Sequence, residues 1–120
     1  MKLLETIEPD FSFTDDRGTL VQLAHAGVAQ VNAVFTKKGA VRGNAHYHKQ
    51  TAETFYILSG KVRVLAENGA EREEAVFSSG DAFRIPANVR HTFAYLEDTY
   101  LVALYSARVE QPDGTKDIYT

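Results

Sequence analysis

Short runs of alternating apolar and polar residues, each closed by Gly, Asn or Pro, recur along nearly the whole chain, and helical periodicity is scarce. A period of two sends successive side chains to opposite faces of a strand, so each run can bury one face against a core. Many short strands with turn signals between them pack as an all-β sandwich or barrel.

Phe11 and Phe13 alternate with polar neighbours, Thr14-Asp15-Asp16-Arg17-Gly18 turns the chain, and a second strand starts at Thr19. Residues 30–36 form a strand with Val31, Ala33 and Phe35 on one face and Asn32 and Val34 on the other, ended by Lys37-Lys38-Gly39-Ala40. Residues 54–60 are so rich in aromatic and β-branched side chains that burial on both faces is expected. Residues 61–65 alternate up to Asn68-Gly69, a strong hairpin signal whose partner strand should run from 73 to 77. A second tight turn, Ser78-Ser79-Gly80-Asp81, leads into residues 82–86, where Pro86 stops pairing because it has no N–H to donate. Strand character resumes over 89–95 and again over 100–107. The tail, residues 108–120, is polar and turn-rich, and is expected to be loose or to pack at an oligomer contact through Ile118 and Tyr119.

A chain of 120 residues predicts one domain, 1–120, able to fold without disulfides. The net charge of −3, without a basic cluster, argues against a nucleic-acid partner and for a small-molecule ligand. With no cysteine, histidines and carboxylates are the strong metal ligands on offer. Met1 to Pro9 hold no apolar secretion segment, and no run of 18 apolar residues follows, so no membrane association and a cytoplasmic location are expected.

Within this β pattern, His46-Tyr47-His48 carries the clearest chemistry. On a strand, side chains two apart share a face with their Cβ atoms roughly 6.5 Å from each other, so both imidazoles can meet one ion while Tyr47 faces away. Glu53 follows closely as a third candidate ligand. Of the other two histidines, His91 sits in a strand bracketed by turns and is the candidate fourth ligand, whereas His25 lies in a loop with nothing ligand-like around it.

This order of features resembles the cupin superfamily, in its small single-domain form. The first cupin motif reads Gly, five residues, His-x-His, three or four residues, Glu, six residues, Gly; here His46, His48, Glu53 and Gly60 match, and Ala40 stands at the leading glycine. The second reads Gly, five residues, Pro-x-Gly, two residues, His, three residues, Asn; here Gly80, Pro86 and His91 match, with Asn88 for the central glycine and Tyr95 for the final Asn. Asn tolerates a left-handed turn better than most residues, so Asn88 is a mild departure. The motifs occupy 40–60 and 80–95, separated by residues 61–79.

The resemblance implies a cupin-type antiparallel β-barrel, or jelly roll, in which His46, His48, Glu53 and His91 hold one divalent transition metal: Fe, Mn, Zn, Ni or Cu. It also implies a homodimer, in which a partner covers edge strands. Asp16-Arg17-Gly18-Thr19-Leu20 and Arg42-Gly43 ahead of His46-Tyr47-His48-Lys49 are similar to signatures of cupins that isomerise or epimerise nucleotide-linked keto-sugars, although those have one residue between Gly and the first His, and many work without a metal. On that likeness Arg42 and Arg17 would engage a diphosphate and Tyr95 would shuttle a proton. A metal-dependent dioxygenase and a non-catalytic ligand-binding module are the alternatives.

Overall fold

A computed structural model describes residues 3–120. Eleven strands follow in order: β1 Glu5–Thr6, β2 Phe11–Asp15, β3 Gly18–Gln22, β4 Gln30–Thr36, β5 Val41–His46, β6 Glu53–Ser59, β7 Lys61–Asn68, β8 Glu71–Ser78, β9 Ala82–Ile85, β10 Arg90–Tyr95 and β11 Thr99–Tyr105. There is no helix among the described residues, so none long and apolar enough to cross a membrane. One sheet has the order β1-β9-β6-β11-β4 and the other β5-β10-β7-β8. The two face each other as the antiparallel jelly roll expected from the resemblance, without strand pairing that closes them into a continuous barrel.

The core lies between the sheets. Phe83, fully buried, is stacked on Phe77 with ring centroids 3.9 Å apart and lies 5.1 Å from Phe55. Ile57, Val62 and Val64 are fully buried beside them. The Asn68-Gly69 hairpin forms as expected, with β8 running the full length of β7. In β6, Glu53, Phe55 and Ile57 are buried and the alternate residues are only partly covered, so burial on both faces is not found.

The strand β4 is turned opposite to what its apolar pattern suggests. Gln30, Asn32, Val34 and Thr36 face the interior, while Val31 and Phe35 are exposed at 60% and 40%. Phe35 and its register partner Tyr100 on β11 form an aromatic pair on the outer face. The strands β2 and β3 pair only with each other, leaving Phe11, Phe13 and Leu20 exposed on one side of the hairpin.

Between β5 and β10 the register slips. His91 pairs with His46 and Phe93 with Arg42, so β5 spends four residues where β10 spends two. The surplus is absorbed by Gly43, Asn44 and Ala45, all at positive φ. The Ala45 N–H donates to Thr92 Oγ1 at 2.8 Å, and Arg90 donates to the Ala45 carbonyl at 3.2 Å, which ties the bulge to β10. Ala45, at φ 62°, is strained by its Cβ. Ala45→Gly is expected to raise stability by about 1 kcal/mol, the relieved strain exceeding the unfolded-state entropy that glycine adds; urea denaturation at fixed metal content measures it.

Candidate metal centre

The bulge delivers His46 to the interior at the end of β5, next to its cross-strand partner His91. Their rings meet edge to face with centroids 4.4 Å apart. His48 lies just beyond the strand, not within it, since Tyr47 makes only an isolated bridge, to Tyr119. The two rings still converge, at 5.2 Å, while Tyr47 points away under Arg90. Glu53, at the start of β6, reaches across from the opposite sheet: its Oε1 lies 2.8 Å from His48 Nε2 and 3.3 Å from His91 Nε2. The four residues offer one ligand atom each, all within 4.8 Å of one another, and three of the four side chains are buried.

The donor set fits a cation. His48 Nε2 and Glu53 Oε1 are buried 2.8 Å apart, and by strict geometry neither makes a hydrogen bond among the described residues. Uncompensated buried polar atoms cost about 1–3 kcal/mol each, and atoms converging on one point in this way are arranged as ligands around it. Three imidazoles and a carboxylate suit a divalent transition ion with coordination positions to spare.

Protonation favours the same use. Burial depresses the pKa of His46 to about 4, helped by the two neighbouring histidines, so its ring is neutral at pH 7. Burial also lowers His91, against the pull of Glu53. For His48, burial acts downward but Glu53 and the Asp117 carbonyl outweigh it, and the net direction is up. A cation in place of the proton would satisfy the same carboxylate.

The tail, expected to be loose or at an oligomer contact, packs beside the site. His48 Nδ1 lies 2.5 Å from the Asp117 carbonyl, which fixes the ring with Nε2 turned toward Glu53. The Asp117 carboxylate accepts from the Lys49 N–H at 2.8 Å, the Gln50 N–H at 2.9 Å and Thr51 Oγ1 at 3.0 Å. Burial would raise its pKa, but these donors hold it below the usual carboxylate range. Tyr47 and Tyr119 exchange two main-chain bonds at 2.9 Å, and Lys49 sits over the Tyr119 ring. Asp117→Ala keeps the main-chain carbonyl that meets His48 but removes the carboxylate anchoring it to residues 49–51. It is expected to cost about 2 kcal/mol of stability in the metal-free protein and to weaken metal binding by no more than about tenfold, the low end of outer-partner effects; urea denaturation and chelator competition read the two effects separately.

A cavity of about 210 Å³ opens from the four residues into the sandwich. Arg42, Phe93 and Tyr95 line one end of it. Arg42 Nε donates to Thr36 Oγ1 at 2.8 Å, and burial pushes the Tyr95 pKa up against the influence of Thr36 and Arg42. Arg17 does not join them: it is exposed on the β2–β3 turn and paired with Asp15. His25 is likewise exposed and paired with Asp10. Asn88 is left-handed at φ 67°, and its N–H donates to the His48 carbonyl, so the turn of the second motif is held against the first. Sequence reasoning missed Asn32, Tyr105 and Asp117; the polar residues alternating in β4 were the one available signal.

The fold and the clustered histidines define a jelly-roll protein with an interior candidate metal centre. The family profile described as the cupin domain matches residues 34–106, and the chain belongs to the cupin family. It is 34% identical over 76 residues to quercetin 2,3-dioxygenase of Aspergillus japonicus, a match covering 62% of this chain and 20% of that protein. The chain therefore corresponds to about a fifth of that relative's length. Among solved structures it is similar to a 3,4-ketoisomerase of Thermoanaerobacterium thermosaccharolyticum in complex with TDP-4-keto-6-deoxyglucose, with a TM-score of 0.82 and 16% identity over 99% of this chain and 88% of that one. It is also similar to dTDP-4-dehydrorhamnose 3,5-epimerase of Sulfolobus tokodaii, with a TM-score of 0.73 and 20% identity over 94% and 80%. At these identities the structural likeness shows the fold.

Proposed function

We propose that the chain is a single metal-binding cupin domain and a metal-dependent enzyme acting on a small polar molecule, with isomerisation or epimerisation of a nucleotide-linked keto-sugar as its reaction. The observation that carries the metal reading is the pair of unsatisfied buried ligand atoms, His48 Nε2 and Glu53 Oε1, at the wall of a cavity. His46, His48, Glu53 and His91 would hold one divalent ion, which supplies Lewis acidity toward an oxygen of the substrate. Tyr95, its pKa raised by burial, would keep its phenolic proton at neutral pH and so hold or donate it at Oη. Arg42, at the same end of the cavity, offers a guanidinium to an anionic group at the mouth. A cavity of about 210 Å³ is smaller than the roughly 300–1,000 Å³ of sites for drug-sized ligands, so the sugar ring would enter and the nucleotide would lie outside.

The test is metal analysis of protein purified without added metal, followed by melting curves with thymidine- and uridine-diphosphate sugars. One equivalent of metal and a rise in melting temperature with the sugar nucleotides support the reading; no shift with any nucleotide removes the sugar branch. The 34% identity to a dioxygenase favours oxidative chemistry as a second reading, which dioxygen uptake dependent on Fe or Mn would support. Homodimerisation belongs to the same proposal, because the exposed Phe11, Phe13, Leu20, Val31, Phe35 and Tyr100 are apolar surface that a second copy could cover. Light scattering coupled to size exclusion checks it, a monomeric mass at micromolar concentration being the contrary result.

A further inference from the structure

The cavity has two unlike halves. The histidines occupy one; the other is built by the inverted strand β4. In the rows across the five-stranded sheet, Gln30 pairs with Tyr105, which pairs with Glu53, and the next row runs Asn32, Ala103, Phe55. All six line the cavity. Exposing Val31 and Phe35 to place two amides inside reverses the usual burial preference, and departures of this kind concentrate at functional sites.

The amides are only partly satisfied by the protein. Gln30 Oε1 accepts from the Val109 N–H at 3.0 Å, and its Nε2 makes no hydrogen bond among the described residues. Asn32 Nδ2 donates to Tyr105 Oη over a long 3.4 Å, and its Oδ1 makes no hydrogen bond among them. Ala103, beside Asn32, keeps the cavity floor low where a larger side chain would fill it. Both residues are partly exposed at the cavity wall, where a donor and an acceptor left over are available to a ligand.

The charges around this half restrict what it can take. Glu53 and Glu110 line it, and the one cation of the lining is Arg42, which is held on Thr36, four residues or about 13 Å along β4 from Asn32. An anionic group beside Asn32 would face Glu110 with no side-chain cation next to it, the ion proposed for the histidines being the counter-charge of the opposite half. We infer that Asn32, with Gln30 and Tyr105, forms a second ligand subsite facing the histidines, which takes a neutral hydroxyl or carbonyl oxygen of a small hydroxycarbonyl compound. Asn32 donates through Nδ2 and accepts through Oδ1, so it pairs with either oxygen type. The inference deepens the proposed function by naming the chemistry of the ligand's far end, and it rests on that reading only for what binds the near end.

The test uses zinc-loaded, ¹⁵N-labelled protein titrated with hydroxyacetone as the neutral probe and azide as a probe of the metal alone. The side-chain amide signals of Asn32 and Gln30 are expected to shift saturably with hydroxyacetone. Asn32→Leu and the near-isosteric Asn32→Asp should each weaken hydroxyacetone about tenfold or more, the factor that corresponds to one lost hydrogen bond. Ala103→Leu should abolish its binding by filling the floor. Zinc stoichiometry should be unchanged in all three, and azide affinity in Asn32→Leu and Ala103→Leu. Unaltered hydroxyacetone affinity in both Asn32 variants overturns the inference, as does the absence of saturable amide shifts in protein that binds zinc and azide. If the protein takes up no zinc, the metal reading fails by itself; saturable Asn32 shifts in the metal-free protein would then still support the subsite, and their absence would overturn it.

Discussion

His91→Ala is expected to abolish stoichiometric metal binding, with affinity reduced on the order of 100-fold or more, a larger loss than that seen for outer partners of metal ligands. The residue is 3% exposed and its Nε2 lies 3.3 Å from Glu53 Oε1, so the variant loses an imidazole donor held in place by the fold, for which a water in the cavity is a far weaker ligand. Its Nδ1 sits 3.1 Å from the Val89 carbonyl, which fixes the tautomer that turns Nε2 inward. Elemental analysis after dialysis against a weak chelator reads the loss, and circular dichroism shows whether the sheets survive. His25→Ala is the control: exposed and paired with Asp10, it should leave metal content unchanged. Full occupancy in His91→Ala would take His91 out of the ligand set.

The largest effect expected on folding comes from Gly60→Ala, at about 3 kcal/mol. Gly60 alone connects β6 to β7, with φ at 104°. A Cβ there would run into Thr99 Oγ1 and would meet the Asp98 carbonyl at 2.5 Å and Thr99 Cα at 2.7 Å. Left-handed backbone costs a non-glycine residue about 1–2 kcal/mol, and the clash with main-chain atoms adds a further 1–3 or so as overpacking. Thr99 is fully buried and its hydroxyl lies 2.8 Å from the Glu97 carbonyl, so it has nowhere to retreat. Gly69→Ala, where a Cβ would meet nothing within 4 Å, carries the backbone strain without the clash and should cost roughly half as much. Equal midpoints for the two variants in guanidinium would show that contact at Gly60 does not matter.

The strands were legible because alternation and turn chemistry are local. Asn68-Gly69 announced β7 and β8, and motif spacing selected His46, His48, Glu53 and His91, which the fold brings within 4.8 Å. Alternation in β4 separated Val31, Ala33 and Phe35 from Asn32 and Val34, yet it could not say which set faces inward. The apolar set turned out to be the exposed one, and the cavity wall was hidden behind that reversal. Asp117 was illegible for another reason: it acts through a carbonyl and three donors on residues 48–51, some 70 positions away, and contacts to main-chain groups leave no trace in residue type. Arg17 shows the converse, a motif match whose side chain is spent on Asp15 at a hairpin tip.

The slip between β5 and β10 makes the length of this segment part of the site. Arg42 and His46 both line the cavity because the two surplus residues of β5 are taken up by the left-handed run 43–45. Removing a single residue from 43–45 breaks that run and is expected to withdraw His46 from its place beside His91 without altering any ligand. A metal site of this construction can be erased by a frame-preserving codon deletion that leaves every histidine in the chain.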